Sequence, residues 1–402
     1  MILKRTFCGF ASLLCIFLTA QDRNTKFAIL DAELTKISSL GLLRGYGVTI
    51  VNKDSTLFAK GYGFSDVEGK SPYSVNSIQN IGSVSKTLIG LALMKAQELG
   101  KLNLNDPINH HLKFDVTNPH HPESPILIRH LATHTGTILD TDLYDEQSYY
   151  VLNANDLKLP VMKSIGEDLK TLETKVSLET YLENFLSSEG SWFKKKNFLK
   201  VKPGSTYEYT NVGAALAAYV LEQATGVPYD EFTKIHILEP LKMNATGWSF
   251  DAIDKSKHTK LYTDEGEVIP HYSLVTYPDG GLLTDLDNFG LYLQELMKGY
   301  LGEGTLLTAS SYKELFTQQL PVKEVPKDAN RYNDEFNTGI FMGFSPVGWI
   351  GHTGSDPGVS TFMFFDPETG LGQIVMMNTS LSGDSINQQL IPIFKGLNKV
   401  LN

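Results

Sequence analysis

Ser83 and Lys86 are the first pair of residues whose types and spacing could do chemistry. They form an S-x-x-K motif at the start of the apolar stretch 86–99, which predicts a long helix. Residues three apart on a helix share a face, so the Lys86 ammonium can reach the Ser83 hydroxyl. Free backbone N–H groups and the positive dipole end at a helix start favour negative charge on an attacked carbonyl. The motif is therefore typical of a nucleophilic serine, although a helix-capping serine beside a solvated lysine gives the same pattern.

Two further copies of the S-x-x-K pattern show that the spacing alone has little specificity. Ser191–Lys194 and Ser310–Lys313 have the same spacing. Neither copy has a glycine-led approach and a strongly apolar helix behind it, as the motif at Ser83 does. The context of Ser83 therefore matters more than the motif.

Tyr209 and Asn211 form the single Y-x-N triplet of the sequence, between a turn that contains Pro203-Gly204 and the apolar stretch 211–225. A nearby ammonium favours the phenolate, so we expect a lowered pKa for Tyr209. Such a phenolate can accept the serine proton. Asn211 can donate and accept hydrogen bonds to lysine or substrate. A strand tyrosine followed by an ordinary helix-capping asparagine is the alternative interpretation.

His352-Thr353-Gly354-Ser355 lies on a predicted strand and could line the same cleft. Gly354 would allow a ligand to approach the strand closely. The N–H of Ser355 could form an oxyanion hole together with the N–H of Ser83. A buried structural histidine is the alternative.

The elements that must position these residues follow from hydrophobic periodicity. Strand-like stretches occur at both ends of the chain and helix-like stretches in its middle. The predicted helices are 26–38, 86–99, 211–225, 285–299 and 384–401, and the predicted hairpin joins 46–52 to 55–64. We therefore expect an α+β fold in which one antiparallel sheet, built from both chain ends, is flanked by helices and interrupted by a mainly helical inserted domain.

The expected domain organisation places the sheet part at about 24–82 and 275–402 and the helical part at about 83–274. Within the helical part, 141–200 is polar and aromatic and has no clear apolar period, so it is interpreted as a surface insertion over the body. Tyr149, Tyr150 and Trp192 in this insertion could line a substrate pocket or pack against the body.

The first twenty residues predict export. Residues 1–20 combine Lys4 and Arg5, a short apolar run and a small residue, Ala20, before a polar one, which is the layout of a signal peptide. A retained anchor is the alternative. The remaining 21–402 would form the functional domain in a periplasm or outside the cell, and no later window is apolar enough to span a membrane.

Composition excludes several other function classes. The 402-residue chain has 35 basic and 45 acidic residues, a net charge of −10 and no basic stripe, which disfavours nucleic acid as a partner.

The adjacent histidines at 110–111 and 120–121 lack the carboxylate and cysteine spacing of a metal site, so we expect surface loops, no metal and no cofactor. Asp279-Gly280-Gly281 predicts a tight turn with a backbone role. The oligomeric state is left open.

Together the three motifs resemble those of the serine β-lactamase and penicillin-binding-protein superfamily, whose mechanics include S-x-x-K and K-T-G. The resemblance is closest to the class C β-lactamase-like branch with its esterases and D-amino-acid peptidases, and covers about 27–400. The supporting stretches are 80–87 (NIGSVSKT), 128–136 (IRHLATHTG), 239–241 (EPL) and 351–354 (GHTG).

The resemblance implies a role for each motif residue. Ser83 matches the acylated nucleophile, Lys86 its activating neighbour and Tyr209 the general base. Asn211 matches the residue that orients lysine or substrate. The remaining matches form the strand that lines the cleft and donates to the oxyanion: His352, Thr353, Gly354 and Ser355.

His352 replaces the lysine that the β-lactamases and D-Ala-D-Ala enzymes of the superfamily usually have. Because a histidine is mostly neutral at pH 7, it should attract a substrate carboxylate less strongly than that lysine does. We therefore expect an exported serine hydrolase that forms an acyl-enzyme on Ser83 and cleaves small esters or amides, with weak β-lactamase activity. The alternatives are a D-amino-acid peptidase or transpeptidase acting on cell-wall fragments, a true class C-like β-lactamase, and a non-catalytic binding protein.

Overall fold

The computed structural model describes residues 25–165, 169–321 and 323–401, and the predicted signal segment 1–20 lies outside them. The strands are β1 (Gly45–Val51), β2 (Thr56–Asp66), β3 (Ser71–Pro72), β4 (Gln79–Asn80), β5 (Tyr149–Val151), β6 (Lys170–Thr171), β7 (Leu261–Tyr262), β8 (Val268–Ile269), β9 (Tyr272–Leu274), β10 (Leu283–Thr284), β11 (Asn337–Thr338), β12 (Gly343–Phe344), β13 (Ile350–Asp356), β14 (Val359–Asp366) and β15 (Leu371–Met377). The helices are α1 (25–38), α2 (Lys86–Glu98), α3 (Ile128–Ala132), α4 (Asp142–Ser148), α5 (Met162–Ile165), α6 (Leu178–Leu186), α7 (Asn211–Thr225), α8 (Tyr229–Thr233), α9 (Leu286–Tyr300), α10 (Ala309–Leu315), α11 (Gly383–Ser385) and α12 (Ile391–Leu401).

One antiparallel sheet joins the two ends of the described chain. Its order is β11-β12-β13-β14-β15-β1-β2-β3, so β1 from the N-terminal part pairs with β15 from the C-terminal part. Val48 lies opposite Val375 in this pairing. The mixed α+β architecture expected from the sequence is confirmed.

Helices cover both faces of this sheet, which explains why every residue of β1 is buried. Side chains alternate between faces along a strand. Val48 and Ile50 face a cluster that includes Leu34 of α1 and Leu397 of α12. On the other face, α9 lies against β1 and β15 and connects the sheet to the helical core. The sheet is therefore the middle of three layers, and its strands are held from both sides.

The helical part is centred on α2 and α7, the two helices that follow the predicted catalytic motifs. Ten of the thirteen residues in α2 are buried, and ten of the fifteen in α7, so both helices lie inside the domain. Gly226, in the left-handed conformation with φ 73°, ends α7. The two helices contact each other and bring residues 125 positions apart in sequence to one place.

Residues 141–200 are less superficial than the sequence predicts. Helix α6 buries Tyr181, Leu182, Phe185 and Leu186 in the main core, so the expectation of a surface insertion is wrong for this helix. Helix α6 is only nine residues long, so its apolar period extends over few turns of the sequence. Strand β5 pairs with β6 and β9, which attaches the segment to the body. None of the helices in the described ranges is long and apolar enough to cross a membrane.

Two helical glycines give a matched test of this packing. A Cβ on Gly90 of α2 would overlap the Ile340 carbonyl oxygen, whereas one on Gly290 of α9 would meet nothing nearer than Thr49 Cγ2 at 3.6 Å. We expect Gly90→Ala to lower the free energy of unfolding by about 1–3 kcal/mol through overpacking. Gly290→Ala should raise it by up to about 1 kcal/mol through helix propensity.

Chemical denaturation of the two variants and the parent protein measures both changes. Equal effects of the two substitutions would contradict the close approach of residue 340 to α2.

Candidate active site

Ser83 lies in a short 3-10 turn, Gly82–Ser85, that leads directly into α2. Gly82 has φ +55°, a left-handed conformation that favours glycine. A Cβ there would also lie 2.8 Å from the backbone nitrogen of Ser355. The glycine before the serine therefore lets the turn contact strand β13, and Ser83 remains partly exposed.

Lys86 is completely buried, and its ammonium has three acceptors. Its Nζ donates to Ser83 Oγ at 3.0 Å, Asn211 Oδ1 at 2.6 Å and the Asp279 carbonyl oxygen at 2.7 Å. An ammonium has three donors, so this set satisfies it fully. Burial lowers the pKa of Lys86, and the charges of Asp279 and Asp140 oppose that shift.

Tyr209 lies next to this lysine. Lys86 Nζ is 5.1 Å from the centre of the Tyr209 ring, and His134 stacks on the ring with centroids 4.6 Å apart. Burial raises the pKa of Tyr209 well above its usual range, and a hydrogen-bonding interaction with Ser83 opposes that shift. The expectation of a lowered pKa is therefore wrong, because desolvation of the phenolate outweighs the nearby ammonium.

His352 is buried and held by its neighbours. Its Nδ1 lies 2.6 Å from the Thr353 carbonyl oxygen and 3.2 Å from Asp334 Oδ2. Burial lowers the pKa of His352, although Asp334 acts in the opposite direction. Asp334 also accepts hydrogen bonds from the backbone and hydroxyl of Thr353, which fixes the middle of β13. The lowered pKa favours the neutral imidazole, whose ring centre lies 6.2 Å from that of Tyr209.

Strand β13 lies directly against the nucleophile turn. A Cβ on Gly354 would overlap the Ile81 carbonyl oxygen and lie 3.1 Å from the Ser83 nitrogen. The partner that approaches Gly354 is thus the protein's own turn, not a ligand as expected. The backbones of Ser83 and Ser355 adjoin here, and their joint role as oxyanion donors stays a prediction.

Asp140 positions the motif that contains Tyr209 and Asn211, and the sequence motifs do not indicate this role. Its carboxylate accepts from the Thr210 hydroxyl at 2.8 Å and from the backbone nitrogens of Asn211 and Val212 at 2.7 and 3.0 Å. A carboxylate at a helix N-terminus is stabilising. Asp140 therefore fixes the first residues of α7. This positions Asn211 so that its side-chain oxygen accepts a hydrogen bond from Lys86. No sequence pattern links Asp140 to a helix seventy residues later.

Two more carboxylates lie near Lys86, the buried Asp279 and the partly exposed Asp356. Tyr144 donates to Asp279 Oδ1 at 3.1 Å, and Tyr149 donates to Asp356 Oδ1 at 2.6 Å. Burial raises the pKa of Asp279 to about 7 and that of Asp356 to about 7, and Lys86 opposes both shifts. The turn at Asp279 has the predicted backbone role, since the Asp279 carbonyl oxygen accepts a hydrogen bond from Lys86. The Asp279 side chain also contributes charge to the site.

The aromatic residues of the 141–200 segment separate into two groups. Tyr149 reaches the site through Asp356, whereas Trp192 packs on Tyr181 with centroids 5.7 Å apart. Tyr150 lies beneath the Lys175 ammonium at 4.3 Å. Within the described ranges no group of three or more metal-ligating side chains occurs.

Comparison with known proteins identifies the family to which the chain belongs. The family model described as Beta-lactamase matches residues 36–391. Protein flp of Staphylococcus aureus strain MW2 is 24% identical over 389 residues, which cover 93% of this chain and 65% of that protein. Penicillin-binding protein 4* of Bacillus subtilis strain 168 is 24% identical over 351 residues, 82% of this chain and 67% of that protein. The chain thus spans about two thirds of the length of these relatives.

Two solved structures share the architecture. The octameric penicillin-binding protein homologue from Pyrococcus abyssi superposes with a TM-score of 0.71 at 23% identity, over 92% of this chain and 77% of that one. The D-amino acid amidase from Ochrobactrum anthropi SV3 superposes with a TM-score of 0.65 at 16% identity, over 93% and 99%. At these identities the likeness shows the fold.

The charge of Asp279 predicts a pH effect on the reactivity of Ser83. Asp279 raises the pKa of both Lys86 and Tyr209, so Asp279→Asn should lower both. Above about pH 7, where Asp279 is ionised, the pH at which Ser83 reactivity rises should therefore move about one unit lower, whichever of the two groups must lose its proton.

The measurement is the rate of Ser83 labelling by a fluorophosphonate as a function of pH. The exposed Asp264→Asn serves as the charge-matched control and should leave the limb in place. An unshifted limb in Asp279→Asn, or a shift to higher pH, contradicts the electrostatic role.

Proposed function

Because the chain belongs to the Beta-lactamase family, we propose that it is an exported serine hydrolase that forms an acyl-enzyme on Ser83 and cleaves small esters or amides. The observation that supports this most directly is the contact of the buried Lys86 ammonium with Ser83 Oγ at 3.0 Å, beside Tyr209. Export rests on the sequence pattern of residues 1–20.

The acylation step follows from the protonation states around Ser83. The Ser83 oxygen attacks the substrate carbonyl carbon, and its proton passes to the Lys86–Tyr209 pair. The resting ammonium of Lys86 donates to Ser83 Oγ, and burial lowers its pKa, so it can lose one proton to solvent before the reaction. The neutral amine then accepts the Ser83 proton in preference to Tyr209, whose burial raises the pKa of its phenol, and that phenol relays the proton to the leaving group. Backbone N–H groups of Ser83 and Ser355 would stabilise the negative oxygen.

Deacylation reverses the proton path. Water attacks the acyl carbon, gives its proton to the same pair, and the Ser83 oxygen leaves and recovers a proton. The acid product is then released. No separate carboxylate base is required, because the pair that accepted the serine proton lies at the same carbonyl.

An ester or small-amide substrate is favoured over a carboxylate-bearing β-lactam by the surroundings of His352. Burial lowers the pKa of His352 and so favours the neutral imidazole, and the carboxylate of Asp334, 3.2 Å from its Nδ1, would repel a substrate carboxylate. A unit-charge pair at 4 Å contributes about 4 kcal/mol at an effective dielectric of about 20, whereas a neutral hydrogen bond contributes about 1 kcal/mol. Weak β-lactamase activity is expected for this reason.

A D-amino-acid peptidase or transpeptidase would use the same groups and remains the second candidate, favoured by the shared fold of the D-amino acid amidase. A non-catalytic binding protein is disfavoured, because a fully buried lysine directed at a serine has a desolvation cost that a scaffold does not need.

Substitution of the nucleophile tests the proposal. The parent protein should hydrolyse short-chain aryl esters faster than cephalosporins and should be labelled by a serine-reactive phosphonate. Ser83→Ala should lose labelling and at least about a thousandfold in kcat/KM, since a nucleophile and its base act as a unit. Ser310→Ala, in another S-x-x-K sequence, is the matched control and should keep both.

Unchanged hydrolysis in Ser83→Ala would remove the proposed mechanism. Faster turnover of cephalosporins than of esters by the parent would instead identify a β-lactamase.

Residue 352 should set the balance between these substrates. His352→Lys introduces a permanent cation, so the ratio of cephalosporin to ester kcat/KM should rise about tenfold, a change of about 1.4 kcal/mol in transition-state stabilisation. The exposed His110→Lys adds the same charge elsewhere and should leave the ratio unchanged. A ratio that does not rise in His352→Lys contradicts the explanation by the missing cation.

A further inference from the structure

Asp356 is a charged residue at the site that the proposed reaction leaves unused. It follows Gly354 by two positions on β13, so both residues face the same side of the strand, toward the Ser83 turn. A Cβ placed on Gly280 would lie 3.8 Å from Asp356 Oδ2 and 3.8 Å from the carbonyl carbon of Gly82. The carboxylate therefore lies beside the nucleophile turn.

Neutral donors hold the Asp356 carboxylate in place. Tyr149 donates to Oδ1 at 2.6 Å and Asn80 Nδ2 to Oδ2 at 2.9 Å. Asn80 also donates to the Tyr272 hydroxyl at 3.1 Å, and Tyr272 donates to the Pro357 carbonyl at 2.9 Å. A carboxylate has about four acceptor positions, so each oxygen retains capacity for another donor. These contacts orient the carboxylate without neutralising it.

No cation of the described ranges forms an ion pair with Asp356. The nearby ammonium of Lys86 already donates to three other acceptors. Asp279 adds a second carboxylate, whose buried Oδ2 has no hydrogen-bond partner within the described part of the chain. Burial raises the pKa of Asp356 to about 7 despite the opposing charge of Lys86, so the ionised carboxylate has a desolvation cost. A bound cation would relieve this cost.

Asp356 is partly exposed, and the backbone beside it at Gly280 is not tightly packed. A Cβ on Gly280 would have ordinary contacts only, the nearest being Leu274 Cδ2 at 3.7 Å. The glycines at 82 and 354, by contrast, are in tight contact with the backbone of the neighbouring segment. Gly280 is thus a glycine that protein packing does not require, at the edge of the reacting centre.

We propose that Asp356, oriented by Tyr149 and Asn80, binds the ammonium group of substrates that have a free amino group next to the scissile carbonyl. The inference rests on the proposed function for its catalytic consequence and names the substrate class as amino-acid amides or esters. The ammonium would take the vacant acceptor positions of the carboxylate while the carbonyl lies over Ser83. Asp356 Oδ2 and the Gly82 carbonyl carbon both lie 3.8 Å from the same Cβ position at Gly280, so an ammonium close to the scissile carbonyl suits this site.

Equilibrium binding tests the subsite apart from catalysis. The Ser83→Ala variant is titrated by NMR with alaninamide, in both enantiomers, and with isobutyramide, in which a methyl group replaces the ammonium. Alaninamide of at least one hand should bind about tenfold or more tightly than isobutyramide. In Ser83→Ala/Asp356→Asn that preference should disappear. Asp145→Asn removes a nearby exposed charge on α4 in the same background and should retain the preference.

Turnover then tests the consequence in the active protein. With alanine and isobutyric p-nitroanilides, Asp356→Asn should reduce kcat/KM about 10–100-fold for the first and less than about threefold for the second. Tyr149→Phe, which keeps the carboxylate, should retain a preference for the ammonium substrate.

Equal affinity of both amides for the Ser83→Ala variant overturns the inference, and this measurement needs no change at Asp356. Equal loss for both anilides in Asp356→Asn also overturns it and assigns the residue a structural role. If the phosphonate does not label the parent protein but Ser83→Ala still prefers alaninamide to isobutyramide, the proposed hydrolase is contradicted and the ammonium subsite is supported.

Discussion

The organisation of this molecule depends on an ammonium group removed from water. Lys86 is fully buried, and isolated burial of a charge costs several kcal/mol unless each donor finds an acceptor. The acceptors come from three separate parts of the chain: Ser83 in the same motif, Asn211 at the start of α7 and the backbone of Asp279. Satisfying Lys86 therefore requires the helical part and the turn before β10 to be correctly assembled around it.

The charged groups around Lys86 are mainly carboxylates. Asp279, Asp140, Asp356 and Asp334 all act to raise the pKa of Lys86, against the desolvation that lowers it. Each carboxylate has a different immediate task. Asp140 holds the start of α7, and Asp334 fixes Thr353 and faces His352. Asp279 and Asp356, by contrast, accept from tyrosine hydroxyls and keep unused capacity. This predominance of carboxylates around Lys86 agrees with the proposed binding of a cationic substrate group.

The sheet supplies the rigidity that this arrangement needs. Glycines at 82 and 354 bring the nucleophile turn and strand β13 into backbone contact, which no residue with a side chain would allow. Strand β13 is itself paired along its length with β14, and the sheet is covered by helices on both faces. The position of Ser83 relative to Ser355 is therefore set by the backbone.

The sequence by itself determined the helices and strands with strong periodicity, including α2, α7, α9 and the β1–β2 hairpin. It also indicated Ser83, Lys86 and Tyr209, because local spacing reports which residues share a turn or a helix face. Only the tertiary structure decided the protonation states and the supporting carboxylates. Tyr209 has a raised pKa because burial depends on residues distant in sequence, and Asp140, Asp334 and Asp356 meet the site through contacts that no local pattern records. Hydrophobic period is a property of neighbouring residues, whereas desolvation and charge are properties of the assembled interior.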